Sequence, residues 1–194
     1  PQRCLITEAR MRPQGFGAEH PLGTDSFGCD LFAQLVHGSR PSLLLAVVVV
    51  GTSVLIGVTV GLLAGYYLGW VDAAISRVIE VFLVIPLILA ALLLLSLFRG
   101  VDVGSGTFNV ILLPAVVLAM FGWMSYARYV RASVLEAKQL DYVTAARVLG
   151  ASDRRIMFRH VLPNAIGPVT ALIPTSIAGI ISAEAVLAFL GIGV

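Results

Sequence analysis

Asp141 to Asn164, reading DYVTAARVLGASDRRIMFRHVLPN, is a polar insert between two stretches apolar enough to span a bilayer. A short loop would join two spans, so an insert of this length looks built to be gripped. Catalytic chemistry finds no home in the chain. It has no G-x-x-x-x-G-K-[ST] phosphate loop, no H-E-x-x-H, no G-x-S-x-G elbow and no pair of carboxylates in a credible cleft. Such a chain cannot hydrolyse ATP and is not expected to be an enzyme. His20, His37 and His160 are scattered without metal-ligand spacing. Cys4 and Cys29 permit a disulfide on an oxidising side, but two cysteines without a motif support neither a metal site nor a redox centre.

The insert carries its own helix signals. Tyr142 to Leu149 is a run of good helix formers closed by Gly150, the residue that most cheaply adopts a left-handed conformation. Ser152 then sits where an N-cap belongs, and Asp153 puts negative charge at the positive end of the next helix dipole. Pro163 is expected to stop that second helix at Leu162. Ala145 and Ala146 suit tight burial against a partner or the second loop helix, though good helix propensity alone explains them.

The elements that must position this insert are membrane spans. Of the 194 residues 58% are hydrophobic and 12% charged, against about 25% charged in a soluble domain. A net charge of +2 with no basic stripe argues against nucleic acid as a partner. No segment reads as a removable signal peptide. Windows of roughly 20 apolar residues predict four spans in an all-α chain: Ser42 to Leu68, Ala73 to Phe98 with Pro86 inside as a kink, Phe108 to Ala127 with Pro114, and Ala165 to Val194 with Pro168 and Pro174.

Within the first span Gly57, Gly61, Gly65 and Gly69 recur every four residues with Ser53 before them, a groove in which another helix backbone can lie close. Gly179 and Ala183 repeat the device more weakly. Glu184 is the sole acid deep in an apolar stretch. A structural hydrogen bond, or a place near the outer interface, competes there with a role in a solute pathway. Arg77 and Glu80, three apart, read as a local ion pair rather than a proton relay. Asp30 to His37 places Leu31, Phe32, Leu35 and Val36 on one side and predicts a short interfacial helix.

Basic residues set the orientation. Arg128, Arg131, Lys138, Arg147, Arg154, Arg155 and Arg159 crowd the segment between the third and fourth spans, which is therefore expected in the cytoplasm. Alternation then puts the Arg99 to Thr107 loop and both termini outside, with Arg3, Arg10, Arg12 and Arg40 opposing weakly. Residues 1–40 read as an extracytoplasmic segment with the interfacial helix. Residues 41–194 read as a transmembrane domain with a cytoplasmic loop at 128–164.

Thr144-Ala145-Ala146, three residues, Gly150 and then Leu162-Pro163 resemble the "EAA" loop of permease subunits in ATP-driven bacterial importers, and RHVLPNA is similar to the peptide branch. His20-Pro21-Leu22-Gly23-Thr24-Asp25, Gly38-Ser39-Arg40-Pro41-Ser42-Leu43, Gly65-Tyr66-Tyr67 and Phe189-Leu190-Gly191-Ile192-Gly193 agree with the "C" type permease of dipeptide, oligopeptide and nickel ABC importers. The resemblance implies a type I permease core in the bacterial inner membrane, of which this chain would hold the second to fifth of the usual six spans. It implies a second homologous permease subunit, two ABC ATPase subunits that bind ATP, an extracytoplasmic substrate-binding protein and no cofactor on this chain. It implies that Thr144, Ala145, Ala146, Gly150, Ala151, Ser152, Asp153, Arg155, Phe158, Leu162 and Pro163 form the ATPase-coupling loop. Two positions depart from the pattern: the glutamate of the loop's name is Thr144, and an arginine usual after Gly28 is Cys29.

Two other classes compete with this reading. An ion-coupled secondary carrier would want ionisable residues or broken helices near the midplane in related halves, and the sequence offers one acid and no internal repeat. A membrane scaffold that transports nothing is favoured only if the insert is a plain loop.

Overall fold

The computed structural model describes Gly15, Gly17 and residues 20–25, 29–98 and 107–192. Among them every named element is helical: α1 Leu31–Tyr67, α2 Gly69–Leu83, α3 Leu87–Leu97, α4 Thr107–Ala137, α5 Asp141–Val148, α6 Asp153–Ile156, a π-turn Met157–Val161, α7 Leu162–Ala165 and α8 Gly167–Phe189. The chain divides into two compact units, Pro1–Leu44 and Leu45–Val194.

In the first unit Asp25 is the organiser. Its carboxylate accepts from the Cys29 backbone N–H at 2.8 Å and from Gln34 Nε2 at 2.9 Å, and Thr24 and Asp30 form an isolated bridge. Cys29 is held in a disulfide; Cys4 lies outside the described residues. The short helix expected at Asp30 to His37 is not separate, because α1 runs on from Leu31 through Pro41. A proline forfeits one helical hydrogen bond. The hydroxyls of Ser39 and Ser42 donate to the carbonyls of Val36 and Gly38 beside it.

Three helices among the described residues are long and apolar enough to cross a membrane: Leu31–Tyr67, Ile111–Ala137 and Gly167–Phe189. Helices α2 and α3 make a fourth crossing if taken as one span, bent by 79°. Pro86 causes the bend. It cannot donate, so α2 closes with Ile85 N–H on Phe82 O, and Pro86 takes the extended conformation that starts α3. The described residues are thus those of a helical, multi-pass membrane protein. Its third span outruns the expected end at Ala127 by ten residues, because Val130, Val134 and Ala137 continue a buried face that packs on the insert. The last helix ends at Phe189, short of the expected Val194; Gly193, Val194 and most of the Arg99 to Thr107 loop lie outside the described residues.

Helix α4 is the central post, contributing residues to each of three buried clusters. Val130, Val134 and Ala137 meet Leu62, Tyr66 and the insert; Ala115 and Leu118 meet Leu45, Val49, Ala91 and Leu187; Met124 and Ala127 meet Ile79. The glycine groove is where α1 reaches this post. A methyl group built at Gly57 would lie 2.6 Å from Trp123 O, at Gly61 2.9 Å from Val130 Cβ, and at Gly65 2.8 Å from Val134 Cβ. Ser53 extends the seam against Gly122, where a methyl group would strike its Oγ. Gly69 does not belong to it. It lies beyond the end of α1 with φ +60 and open space around it, since the chain has already turned. Gly179 likewise has nothing within 4 Å.

That turn is strained. Leu68 has φ 56 and ψ −161, a region almost reserved for glycine and costing on the order of 1–3 kcal/mol for another residue. Gly69 follows with φ +60 and opens α2.

Candidate coupling surface

The insert starts where α4 ends, with turns that carry Lys138 N–H to Val134 O, Gln139 N–H to Glu136 O and Leu140 N–H to Ala137 O. Helix α5 closes in a Schellman motif. Gly150, at φ +80, donates to Arg147 O at 3.0 Å, and Ala151 donates to Ala146 O at 3.1 Å, which satisfies two end carbonyls. The left-handed joint expected at Gly150 is therefore present. No neighbour lies within 4 Å of a methyl group built there, so the demand for glycine is conformational rather than steric.

Ser152 occupies the N-cap position of α6 with extended backbone, but its hydroxyl makes no capping bond. The cap expected from its side chain is absent. Asp153 instead accepts a hydrogen bond from Tyr66 Oη at 2.6 Å, 87 residues away in sequence. Pro163 does not stop the helix at Leu162. The backbone widens into a π-turn over Met157–Val161, and Leu162 N–H donates to Met157 O, five residues back. The extra room takes up the clash a proline ring makes with the preceding turn. With Pro163 in its first turn, α7 runs on to Ala165, and the second loop helix extends past its expected end.

One face of the insert is core. Val143, Ile156, Val161 and Ala165 are fully buried and Met157 nearly so, against Tyr66, Val130, Val134 and Ala137; Ala146, Ala151 and Leu162 pack at the edge. Tyr142 joins the two loop helices: Asn164 Nδ2 donates to its Oη at 2.7 Å, and that hydroxyl donates to His160 O at 3.2 Å. The opposite face is bare. Val148 and Leu149 are 82% and 86% exposed and Phe158 51%, beside Thr144, Ala145, Arg154 and Arg155, all exposed. Ser152, Arg154, Arg155 and Phe158 line a shallow depression of about 430 Å³. Of the expected loop residues, Thr144, Ala145, Gly150, Ser152, Asp153, Arg155, Phe158 and Pro163 are exposed, while Ala146, Ala151 and Leu162 are half-buried.

The span ends are fastened to one another, beside the insert, by groups with no local signature in the sequence. Lys138 Nζ donates to Tyr66 O, the carbonyl near the end of α1, and sits 5.1 Å from the Tyr66 ring centre. Burial holds its ammonium below the usual lysine range, with Arg147 pushing the same way and Asp153 opposing. Arg131 grips Asp72 of α2 with two parallel bonds, Nη2 to Oδ2 at 2.6 Å and Nε to Oδ1. On charge counting alone Arg131 and Lys138 are markers of membrane side, and only Gly65-Tyr66-Tyr67 as a motif flagged this corner. Arg77 and Glu80 do pair, at 3.0 Å and largely in solvent. Glu184 is buried, at 7% exposed. Among the described residues no group of three or more His, Cys, Asp or Glu could hold a metal.

Residues 57–194 match the family described as binding-protein-dependent transport system inner membrane component. The chain belongs to that family. Its relatives are permeases. It is 39% identical over 180 residues to the glutathione transport system permease protein GsiD of Pectobacterium atrosepticum, covering 93% of this chain and 57% of that protein. It is 36% identical over 192 residues to the dipeptide transport system permease protein DppC of Bacillus subtilis, covering 99% of this chain and 56% of that one. An oligopeptide transport system permease protein of Mycobacterium tuberculosis is 35% identical over 178 residues, 92% of this chain and 59% of that one. The chain thus spans less than two thirds of the length of the curated relatives it matches. The fold agrees with a solved amino acid ABC transporter at TM-score 0.57 and 20% identity, covering 82% of this chain and 76% of that one.

Proposed function

We propose that this chain forms part of the translocation pathway of an ATP-driven importer of peptides or a related small solute, and that residues 128–164 carry its coupling to cytoplasmic ATPases. The observation that carries the second half is the two-sided insert: one face fully buried on the span ends, the other presenting Val148, Leu149, Phe158 and two arginines to solvent. An exposed apolar patch ringed by charge is the mark of a docking surface. The relatives named for glutathione, dipeptide and oligopeptide transport support the substrate class. ATP hydrolysis then falls to a separate subunit. The working assembly is a pair of homologous permeases, two ABC ATPases and an extracytoplasmic binding protein in the bacterial inner membrane.

Closing of the ATPases on ATP would carry the second loop helix with it, and the attached spans would reorient the pathway towards the binding protein. The test uses the full-length permease expressed with its operon partners. Co-purification of an ATPase and ATP-dependent uptake of dipeptide or glutathione into vesicles are expected. A cysteine at Ser152 is expected to be labelled from the cytoplasmic side alone. Labelling from the opposite side, or an assembly without an ATPase, would refute the reading.

A further inference from the structure

Tyr66, Leu68, Gly69 and Asp72 form one corner, where α1 ends and the bent α2–α3 span begins, and the corner is tied at three points. Tyr66 Oη donates to Asp153 at the head of α6. Lys138 Nζ holds the Tyr66 carbonyl from the α4–α5 junction, and Arg131 of α4 holds Asp72 at the start of α2. The corner itself is a backbone outlier at Leu68, a conformation that persists only where its surroundings impose it. Tyr66 is 6% exposed, and its hydroxyl meets Asp153 and, on α5, Arg147, so both of its side-chain partners lie in the insert. Of the three ties, the phenol–carboxylate bond alone joins this corner to the exposed loop helix.

We infer that Tyr66 is a positioning residue for transport: its hydrogen bond to Asp153 makes the α1–α2 corner follow the loop helix, passing ATPase movement to the span bent at Pro86. The inference rests on the proposed coupling role of the insert and adds the route by which motion leaves it. Displacement of α6 pulls Asp153, which pulls Tyr66. Because Leu68 and Gly69 hold a single strained turn, α2 re-aims as a body rather than flexing at its start. The Val84–Pro86 break then takes up the difference.

The experiment places a cysteine at Val84, 82% exposed at that break, in the complete transporter, and follows maleimide labelling with and without Mg-ATP and orthovanadate. The same protein lacking the added cysteine gives the background. The unaltered corner is expected to change its labelling rate severalfold on trapping. Tyr66→Phe, which keeps the ring and its packing, is expected to retain the ATPases on purification yet lose at least four fifths of that response. Asp153→Ala, compared per ATPase retained, should lose the same share of the response, and Asp153→Asn, which keeps an acceptor, should restore much of it. A merely structural role predicts lower abundance and an unchanged ratio between the trapped and untrapped states. A full response in Tyr66→Phe overturns the inference alone. Absence of ATPases from the unmutated complex overturns the coupling reading, and this inference with it.

Discussion

Glycine serves two regions of this protein for opposite reasons. In the seam between α1 and α4, Gly57, Gly61 and Gly65 have ordinary helical backbone and no room: a methyl group at any of them would lie under 3 Å from the facing helix. At Gly150 the backbone is unusual, φ +80, and a methyl group would meet nothing within 4 Å. The seam needs the absence of a side chain, whereas the loop needs the freedom of a bare α-carbon. A membrane interface without a hydrophobic driving force between its helices gains by close approach. An exposed joint gains by fixing the direction of the helix that follows it.

Substitutions that add volume where the backbone is ordinary helix should separate the two. Gly61→Leu is expected to have the largest effect, because the added atoms meet Ala127 O and Val130 Cβ across the seam. Overpacking of this kind costs about 1–3 kcal/mol or more, and loss of the folded monomer peak in detergent would register it. Leu55→Ile, at a position 70% exposed and away from the seam, should leave that peak unchanged. Normal folding of the Gly61 variant would mean that the seam opens readily.

Removing the tie across α2 and α4 comes next. Arg131→Ala and Asp72→Ala should each lower thermal stability, and the double variant should be little worse than either alone. A coupling of about 1.5 kcal/mol is expected from a charge-assisted pair that is partly exposed. Strictly additive losses would show that the two parallel bonds contribute nothing. Gly69→Ala, at φ +60 in open space, tests the corner by conformation alone. A loss of about 1 kcal/mol is expected, visible as a shift of the detergent melting curve.

Much of the architecture was legible in the residues for physical reasons. Spans announce themselves by uninterrupted apolar length, the bend by Pro86, the loop joint by Gly150, and three of the four spaced glycines by their period. Gly69 misled because periodicity continues past the point where a helix stops, and nothing in a four-residue spacing marks the end. Pro163 misled because a π-turn can absorb a proline, and the choice between absorbing and breaking depends on packing of Met157 and Val161 in the core. Asp30 to His37 misled because the amphipathic pattern says which face is apolar without saying where the helix ends. Tyr66–Asp153 and Asp72–Arg131 join residues 87 and 59 positions apart, and no local pattern encodes such a pairing.

The central claim is that the insert is an aimed docking element, and a graded series at Gly150 in the complete transporter tests it most directly through ATPase co-purification. Asparagine tolerates a left-handed backbone, alanine less, and β-branched valine least. No steric clash inside the chain confuses the comparison, since the space around Gly150 is open. The account predicts ATPase recovery falling in the order Gly150→Asn, Gly150→Ala, Gly150→Val, to below a tenth of normal for valine, with the spans still folded and the protein still abundant. Wild-type recovery in Gly150→Val would contradict it, because a loop helix free to point elsewhere would then bind its partner as well as an aimed one.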